Sequence, residues 1–325
     1  MKPLVAFHTP DLNFRGSCVA LMDYARHNIT LLGNRSCILT QDSSGKNDPI
    51  AEKWIMGSGI PVYEYTDVGD IDDILSLVGC DAMYCIKYGT KDGVVSHTIP
   101  TFVHCVFDLS QPHGSVYAAV SESLARKYGA TCYVPHMISM APSQHPEDNL
   151  RLDLGIPESA RVFGRHGGRD TFNLQFAKEV MSRIVRERQD IYFVFMNCPR
   201  WEVEDHPQLL FLAPTTDLDA KRRFICTCDA MIVPETMGHT FGMSVAEFSI
   251  HQKPVVCYAG NVWNTAHIDI LGDRGLFFDN PQDLHALLTD FDPASYSDKD
   301  MNAYRSFSPE LVMAQFDAVF MSTLN

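Results

Sequence analysis

The chain has 325 residues, of which 46% are hydrophobic and 20% charged, and its formal net charge at pH 7 is −14. This composition is typical of a folded globular protein and excludes a disordered or fibrous chain. The length suffices for two domains that each bury a core of their own. The negative charge disfavours nucleic acid and acidic membrane surfaces as partners, so an anionic ligand must be bound by local groups.

The sequence contains no candidate membrane span. No run approaches the roughly 18 to 20 apolar residues that cross a bilayer, and the N-terminal segment turns polar too soon for a signal peptide. We therefore expect a cytoplasmic protein without an integral membrane segment. Its ten cysteines are scattered without a repeated Cys-x-x-Cys pair, and several lie in apolar stretches, which indicates reduced thiols in the core.

The first part of the chain alternates strand and helix patterns. Residues 4–7 are an apolar run typical of a buried strand, residues 18–25 carry apolar side chains at helical spacing, and residues 36–40 form the next strand pattern. Such a strand, helix, strand unit pairs its strands in parallel. The alternation predicts an α/β domain over residues 1–137. Its further elements are strands at 62–63, 82–85, 100–106 and 117–120 and a helix over 71–78.

A proline-rich passage of mixed charge over residues 138–158 predicts a linker. The alternation then restarts and predicts a second α/β domain over residues 159–305. Its strands are predicted at 161–165, 191–196, 210–212, 230–233 and 254–258, and its helices at 177–184, 221–226 and 244–250. A last helix within residues 306–325 has Ser308 as its predicted N-cap, Pro309 at its first position, and Val312, Phe316, Val319 and Phe320 on one face.

Three loops that follow predicted strands carry candidate binding residues. In sheets of this kind ligands bind outside the carboxyl ends of the strands, and two successive domains place a cleft between them. The first loop brings Arg15 and Gly16 to the start of a helix, where free backbone N–H groups favour a phosphate. A tight turn with a surface arginine is the alternative interpretation of this loop.

The second loop, residues 164–170, combines three glycines with Arg165 and Arg169. Backbone donors and forked guanidinium groups can together surround a diphosphate, although a flexible loop with solvated arginines has the same composition. The third loop, residues 234–242, leads into a helix that contains Glu247. Amides near Gly242 can face a phosphate, and Glu247, one turn into the helix, can accept hydrogen bonds from the vicinal hydroxyls of a ribose. A solvent-facing glutamate is the alternative.

The block Gly-His-Thr-Phe-Gly-Met-Ser-Val-Ala-Glu at 238–247, followed by Lys-Pro-Val-Val at 253–256, resembles the signature of retaining glycosyltransferases of family 4. That family has the GT-B fold, in which two Rossmann-like domains face each other across a cleft and a C-terminal helix crosses back to the first domain. The Gly164-Arg165 loop resembles the phosphate-binding loop of the family, and Arg15-Gly16 resembles its N-terminal glycine loop.

The sequence departs from the family pattern at two positions. His239 stands where the family has the first glutamate of its pair, and Glu235, four positions earlier, cannot take that place without a different loop. Asp170 stands where the family's loop usually has a lysine. Because imidazole accepts one hydrogen bond and donates one, whereas a carboxylate only accepts, a different donor sugar or hydroxyl geometry is the hypothesis that follows.

The resemblance implies a metal-independent transferase that moves a sugar from a nucleoside diphosphate sugar to a glycan or other hydroxyl acceptor with retention of configuration. It implies catalytic roles for Arg165, which neutralises the leaving diphosphate, and for His239 and His104, which line the sugar site. His104 follows a strand, as His8 does. The residues that the resemblance assigns to donor binding are Arg15, Gly16, Gly164, Arg169, Thr240, Phe241, Gly242, Met243, Ser244 and Glu247.

No cofactor and no metal ion are expected. Three Asp-x-Asp sequences, at 70–72, 217–219 and 290–292, imitate a metal motif but are predicted to be helix caps or turn residues, because none follows a core strand. A nucleotide-sugar epimerase or phosphorylase of the same fold and a non-catalytic nucleotide-sugar-binding scaffold are the alternatives. A dehydrogenase is disfavoured because no Gly-x-Gly-x-x-Gly follows a strand with an acidic residue about twenty positions on.

Overall fold

The computed structural model describes residues 2–42, 46–201, 205–215 and 217–324. The chain divides into two compact units. Unit 1 consists of Met1–Ser139 together with Phe307–Asn325, and unit 2 consists of Met140–Ser306. The chain therefore returns to unit 1 after it has completed unit 2.

Unit 1 is built on one six-stranded sheet. Its strands are β1 (Leu4–Thr9), β2 (Arg35–Gln41), β3 (Val62–Tyr65), β4 (Ala82–Lys87), β5 (Thr101–Cys105) and β6 (Val116–Ala119), and its helices in the same part of the chain are α1 (Gly16–Thr30), α2 (Pro49–Met56), α3 (Ile71–Val78) and α4 (Glu122–Lys127). The strands are all parallel, in the order β3-β2-β1-β4-β5-β6. This is the strand order of the Rossmann fold.

Helix α3 shows how local sequence sets an element boundary. Before it, the Asp67 carboxylate accepts a hydrogen bond from the Gly69 N–H at 3.0 Å, and the Asp70 carboxylate accepts one from the Asp67 N–H at 2.9 Å. After it, Gly79 adopts φ 73°, which ends a helix in the left-handed region that glycine allows. The helix predicted over residues 71–78 is confirmed at both ends.

The C-terminal helix α10 (Pro309–Val319) packs into the core of unit 1. The Phe316 ring centroid lies 5.2 Å from those of Tyr24 and Tyr84, and the Phe320 ring centroid lies 5.6 Å from that of Phe102. All of these rings are buried. Ser308 occupies the N-cap position as predicted, but its hydroxyl makes no capping bond to the helix.

Unit 2 contains a second six-stranded sheet and a two-stranded one. The strands are β7 (Arg161–Arg165), β8 (Ile191–Met196), β9 (Leu209–Leu212), β10 (Ala230–Val233), β11 (Gly238–His239), β12 (Val255–Tyr258), β13 (Asn264–Thr265) and β14 (Gly275–Phe278), and the helices are α5 (Gln175–Glu187), α6 (Leu218–Thr227), α7 (Met243–Ile250), α8 (Ala266–Leu271) and α9 (Pro281–Thr289). The large sheet is parallel in the order β14-β12-β10-β7-β8-β9, and β11 pairs with β13. The Rossmann order is thus repeated.

The second half of the segment predicted as a linker is anchored in unit 2. Arg151 is buried, and its guanidinium donates to the Asp229 carboxylate at 2.9 Å and to the carbonyls of Glu158 and Ala160. The Leu150 N–H donates to the Thr227 hydroxyl at 2.8 Å. One buried arginine therefore ties the proline-rich passage to the start of β10, and the boundary between the units lies at Ser139.

Candidate functional site

The candidate site of unit 2 lies where the strand order of the large sheet reverses. From β7 the chain proceeds outward through β8 and β9 and then returns to β10, which pairs with β7 on its other side. Ligands of such sheets bind outside the carboxyl ends of the strands at this switch point. The loops that follow β7 and β10 are the two that the sequence analysis singled out.

Helix α7 begins at this point with an uncapped N-terminus. Gly242 precedes it with φ 92° and ψ 62°, no side chain caps the helix, and no acidic residue lies in its first turn. The position is also closely packed, because a Cβ there would be 3.1 Å from the Cβ of His267 and 3.2 Å from the hydroxyl of Tyr304. The first N–H groups of the helix and its positive dipole end are therefore suited to an anion.

Arg165, the last residue of β7, is 2% exposed. Its Nη2 donates to the Thr171 hydroxyl and to the Gly168 carbonyl at 3.4 Å, and it lies 3.7 Å from Oε2 of Glu235. Its Nη1 is buried and has no hydrogen-bond partner among the described residues. A buried guanidinium donor without an acceptor in the protein is suited to an anionic ligand.

Glu235 and His239 form a contact at the carboxyl end of β10. Oε1 of the glutamate touches Nε2 of the histidine, and the two side chains are 3% and 22% exposed. Burial alone would raise the pKa of Glu235, but His239, Arg165 and Thr171 outweigh it and lower that pKa to about 2. Glu235 is therefore a buried, ionised carboxylate between two groups that the sequence analysis assigned to the donor.

His267 supports the same loop from α8. The backbone N–H of His239 donates to Nδ1 of His267 at 3.2 Å, and the two rings meet edge to face with centroids 4.8 Å apart. Burial, followed by the nearby His239, lowers the pKa of His267 to about 3. The ring is therefore neutral near pH 7 and carries its proton on Nε2, a buried donor that has no partner in the described part of the chain.

Glu247 lies in a second charged cluster. Its Oε1 accepts from Nζ of Lys221 at 2.9 Å, and its Oε2 lies 3.0 Å from Nε2 of His166. Burial would raise the pKa of Glu247, but His166 and Lys221 together lower it to about 2. The alternative of a solvent-facing glutamate is wrong, because the residue is 8% exposed. Lys221 and His166 together orient this carboxylate.

The remaining residues predicted in unit 2 differ in their surroundings. Met243 and Ser244 are partly exposed at the start of α7, and Arg169 is exposed on the loop after β7. Thr240 is 7% exposed. Phe241 contributes its backbone: its carbonyl accepts from the Tyr304 hydroxyl at 2.8 Å, whereas its ring packs in the core against Tyr304. A ligand contact through the Phe241 ring is therefore excluded in this conformation.

Gly164 lies inside β7, in register with Val194 and Met231, and not in the loop. A Cβ at this position would overlap Sγ of Cys228. Its lack of a side chain therefore serves the packing of the strand. In unit 1, Arg15 and Gly16 are exposed at the start of α1, where Arg15 is the N-cap residue and makes no side-chain cap.

The role predicted for His104 in the sugar site is wrong. It is fully buried in unit 1, where Nδ1 pairs with the Tyr84 hydroxyl at 2.5 Å and Nε2 with the Val134 carbonyl at 2.7 Å. Burial lowers its pKa to about 4, and the ring of Phe320 packs beside it. Both ring nitrogens are occupied by the protein, so His104 is a core residue and does not line a sugar site. His8 is likewise buried and pairs with the Tyr65 hydroxyl at 2.9 Å.

The Asp-x-Asp sequences are caps and turns, as predicted. Asp217 accepts from the N–H groups of Asp219 and Ala220 at the start of α6, and Asp292 accepts from the Ala294 N–H. Asp72 holds a turn through the Ser96 hydroxyl. Among the described residues, no three His, Cys, Asp or Glu side chains converge as metal ligands do. Within the same part of the chain, no helix has the length and apolar character needed to cross a bilayer.

Sequence reasoning missed His166, Lys221 and His267, and it set Glu235 aside. His166 lies inside the glycine loop after β7, so its position was a usable signal. Lys221 lies on α6, and it meets Glu247 only through the fold. No sequence spacing indicates that contact.

No protein-family model matches the chain, and no curated protein matches it. Solved structures resemble it along its whole length. A glycosyltransferase from Rickettsia africae is 12% identical with a TM-score of 0.74, covering 100% of this chain and 99% of that one. The Anabaena protein HepE in complex with UDP is 14% identical with a TM-score of 0.73, covering 99% and 100%. A putative UDP-N-acetylglucosamine 2-epimerase from Listeria monocytogenes is 12% identical with a TM-score of 0.62, covering 99% and 98%.

These likenesses establish the fold. The two parallel six-stranded α/β sheets and the full-length match to glycosyltransferase structures confirm the predicted GT-B fold. At such low identity the match does not extend to family 4 or to the stereochemistry of a reaction, which remain predictions from the sequence.

Proposed function

We propose that this chain is a glycosyltransferase that moves a sugar from a nucleoside diphosphate sugar to a hydroxyl acceptor, with retention of configuration and without a metal ion. The observation that carries the proposal is the set of unpaired hydrogen-bond donors at the switch point of unit 2. Nη1 of Arg165 is buried without a partner, and the first turn of α7 has neither a side-chain cap nor an acidic residue.

The donor diphosphate would occupy this place. The amides of Met243 and Ser244 would bind its oxygens at the positive end of α7, and Arg165 would offset the charge that develops on the leaving group. Because Arg165 is 2% exposed, its contact with the ligand requires the loop at 166–170 to move aside. Three residues of that loop, Gly168, Arg169 and Asp170, are exposed, and Arg169 would then add a second guanidinium.

The ribose and the sugar would lie on either side of the diphosphate. Glu247 is ionised and is oriented by Lys221 and His166, so its remaining lone pairs would accept the ribose hydroxyls. His239, partly exposed, would contact the transferred sugar. Retention is proposed because the glycine loop and the block at 238–247 resemble retaining enzymes.

Uridine nucleotides are the first donors to test, because the HepE structures contain UDP or UDP-glucose. We expect one nucleotide series to raise the melting temperature of the protein and a matching sugar nucleotide to release free nucleoside diphosphate in the presence of mixed sugar acceptors. Retention is then read from the anomeric proton coupling of the product by NMR.

Two substitutions on β7 test whether the nucleotide binds at Arg165. Arg165→Gln should abolish the melting shift with the nucleotide. Arg161→Gln is the matched control, because Arg161 pairs with Asp190 at the opposite end of the same strand and should keep the shift. No shift with any nucleotide in the parent protein, or equal losses in both variants, contradicts the proposal.

A nucleotide-sugar epimerase is the second candidate, favoured by the full-length likeness to the Listeria epimerase structure. Such an enzyme needs no acceptor. Incubation with UDP-N-acetylglucosamine alone, followed by NMR of the sugar ring protons, separates the two activities: a new epimer without acceptor indicates the epimerase. Nucleotide binding without any conversion, with or without acceptors, indicates a binding scaffold.

A further inference from the structure

The carboxylate of Glu235 lies between Arg165 and His239. We propose that Glu235 is a positioning residue that fixes the proton of His239 on Nε2 and holds the guanidinium of Arg165 in place for the nucleotide sugar. The expected effect on turnover rests on the proposed function. The position of the proton on His239 can be measured in the protein without ligand.

The backbone directly after Glu235 is held by two loops. The next residue, Thr236, accepts a hydrogen bond at its carbonyl from the Trp263 N–H at 3.0 Å. Its own N–H donates to the Asn173 side-chain oxygen at 3.0 Å, and its hydroxyl accepts from the Asn173 amide at 3.0 Å. The loops that follow β7 and β12 therefore hold the segment that carries the carboxylate.

Because Glu235 is buried, its carboxylate needs its partners in order to be ionised. A carboxylate that is 3% exposed is costly to ionise without compensating charge or hydrogen bonds. Here Arg165, the last residue of β7, and His239, in β11, supply that compensation. Loss of the charge would leave Arg165 without a carboxylate partner within the described part of the chain, and its guanidinium would keep the Thr171 hydroxyl and the Gly168 carbonyl as acceptors.

The contact with His239 has a chemical consequence. An ionised carboxylate only accepts hydrogen bonds, so the ring nitrogen that faces it, Nε2, carries the proton. The contact therefore fixes which ring nitrogen of His239 faces Glu235, and Nδ1 is the ring nitrogen left for a hydroxyl of the substrate.

The test compares three variants: Glu235→Gln, Glu235→Asp and Asp229→Asn. Asp229 is the matched control, since its carboxylate, 18% exposed, is also paired with an arginine, Arg151, and it lies next to the opposite end of β10. Each protein is studied by ¹⁵N NMR of its histidine rings without ligand, by thermal unfolding, and by donor kinetics. The His239 resonances are assigned by loss of signal in His239→Gln.

We expect the ligand-free parent to show the Nε2–H form of His239 and Glu235→Gln to lower its population, because an amide oxygen is a weaker acceptor than a carboxylate. In kinetics, Glu235→Gln should lower kcat by at least about 10-fold, with a smaller change in donor KM, because a carboxylate that orients an imidazole acts mainly in the transition state. Glu235→Asp should restore part of the rate. Asp229→Asn should lower the melting temperature while leaving the His239 signature and kcat unchanged.

Two results overturn the inference. One is an unchanged His239 signature and kcat in Glu235→Gln. The other is the same change in Glu235→Gln and Asp229→Asn, which would show a structural role only. If the parent turns over no sugar nucleotide, the proposed function fails, and the ligand-free NMR comparison still decides whether Glu235 sets the proton of His239.

Discussion

The sulfur of Cys228 fills the space beside Gly164, so that a Cβ at position 164 would overlap it and would lie 3.3 Å from Cζ of Phe248. Because Gly164 has no side chain, strand β7 can approach the end of α6 and helix α7 this closely. The position is buried and central, and the packing has no room to relax toward solvent.

We predict that Gly164→Ala lowers the free energy of unfolding by about 1–3 kcal/mol, the usual cost of overpacking a core. Urea unfolding measures it. Cys228→Ala removes the sulfur. The double variant Gly164→Ala, Cys228→Ala should therefore regain part of the free energy of unfolding that Gly164→Ala loses. Equal stability of Gly164→Ala and the parent would show that the strand can shift away.

Gly242→Ala should affect both stability and nucleotide binding. The backbone at 242 has φ 92°, and an added Cβ meets His267 and Tyr304, so strain and steric overlap together should cost about 1–3 kcal/mol or more. The start of α7 should shift and the melting response to nucleotide should weaken. Gly155→Ala is the control, because Gly155 has φ 66° with open space around it. If both variants lose the same stability and neither loses the nucleotide response, the close approach at 242 is unimportant.

As the pH is lowered, buried histidines should reduce the free energy of unfolding at pH values above those at which the carboxylates titrate. Burial lowers the pKa of His8 and His104 from 6.5 to about 4 and that of His136 to about 3. Below pH 6.5 the unfolded chain therefore binds protons that the folded protein does not, and stability declines as the pH falls toward 4. Each such histidine contributes a slope of about 1.4 kcal/mol per pH unit.

His104→Gln tests this slope. Glutamine keeps one donor for the Val134 carbonyl and one acceptor for the Tyr84 hydroxyl but cannot be protonated in this range. Urea unfolding between pH 5 and pH 7 should give a slope smaller by about one proton in the variant. The lowered pKa values of Glu235 and Glu247, about 2, affect stability only below about pH 4.5 and do not interfere. An identical slope in both proteins refutes the prediction.

Phe316→Ala should strongly destabilise unit 1. The ring is fully buried against Tyr24 and Tyr84, and its removal leaves a cavity whose cost is about 3–5 kcal/mol. Leu311→Ala on the same helix is the control, since Leu311 is 57% exposed and should change stability by no more than about 0.5 kcal/mol. Chemical unfolding monitored by far-UV circular dichroism compares the two, and similar losses would contradict the packing of α10.

The alternation of elements was predictable because short apolar runs lie between polar and glycine-containing turns. Strands β8 and β10 begin and end where the sequence predicts. Strand β14 and helix α9 were not predicted. In β14 only Phe278 is buried, so the strand lacks the continuous apolar run that marks the central strands.

The candidate site was predictable in its loops and not in its contacts. Position after a strand identified Arg165 and His239, and the same criterion failed for His104. A strand presents alternate residues to opposite faces, and the face that carries His104 is covered by Phe320, more than 200 residues later in the chain. The pairing of Lys221 with Glu247 is likewise a product of the tertiary fold.

The placement of α10 also sets the order in which the chain can finish folding during its synthesis. The ribosome makes all of Met140–Ser306 before it makes the helix that covers Tyr24 and Tyr84. A domain usually completes its fold as soon as its residues have emerged, and the N-terminal one is first. In this protein unit 2 can close first, while the N-terminal unit must wait, with aromatic side chains uncovered, for the last residues to be translated.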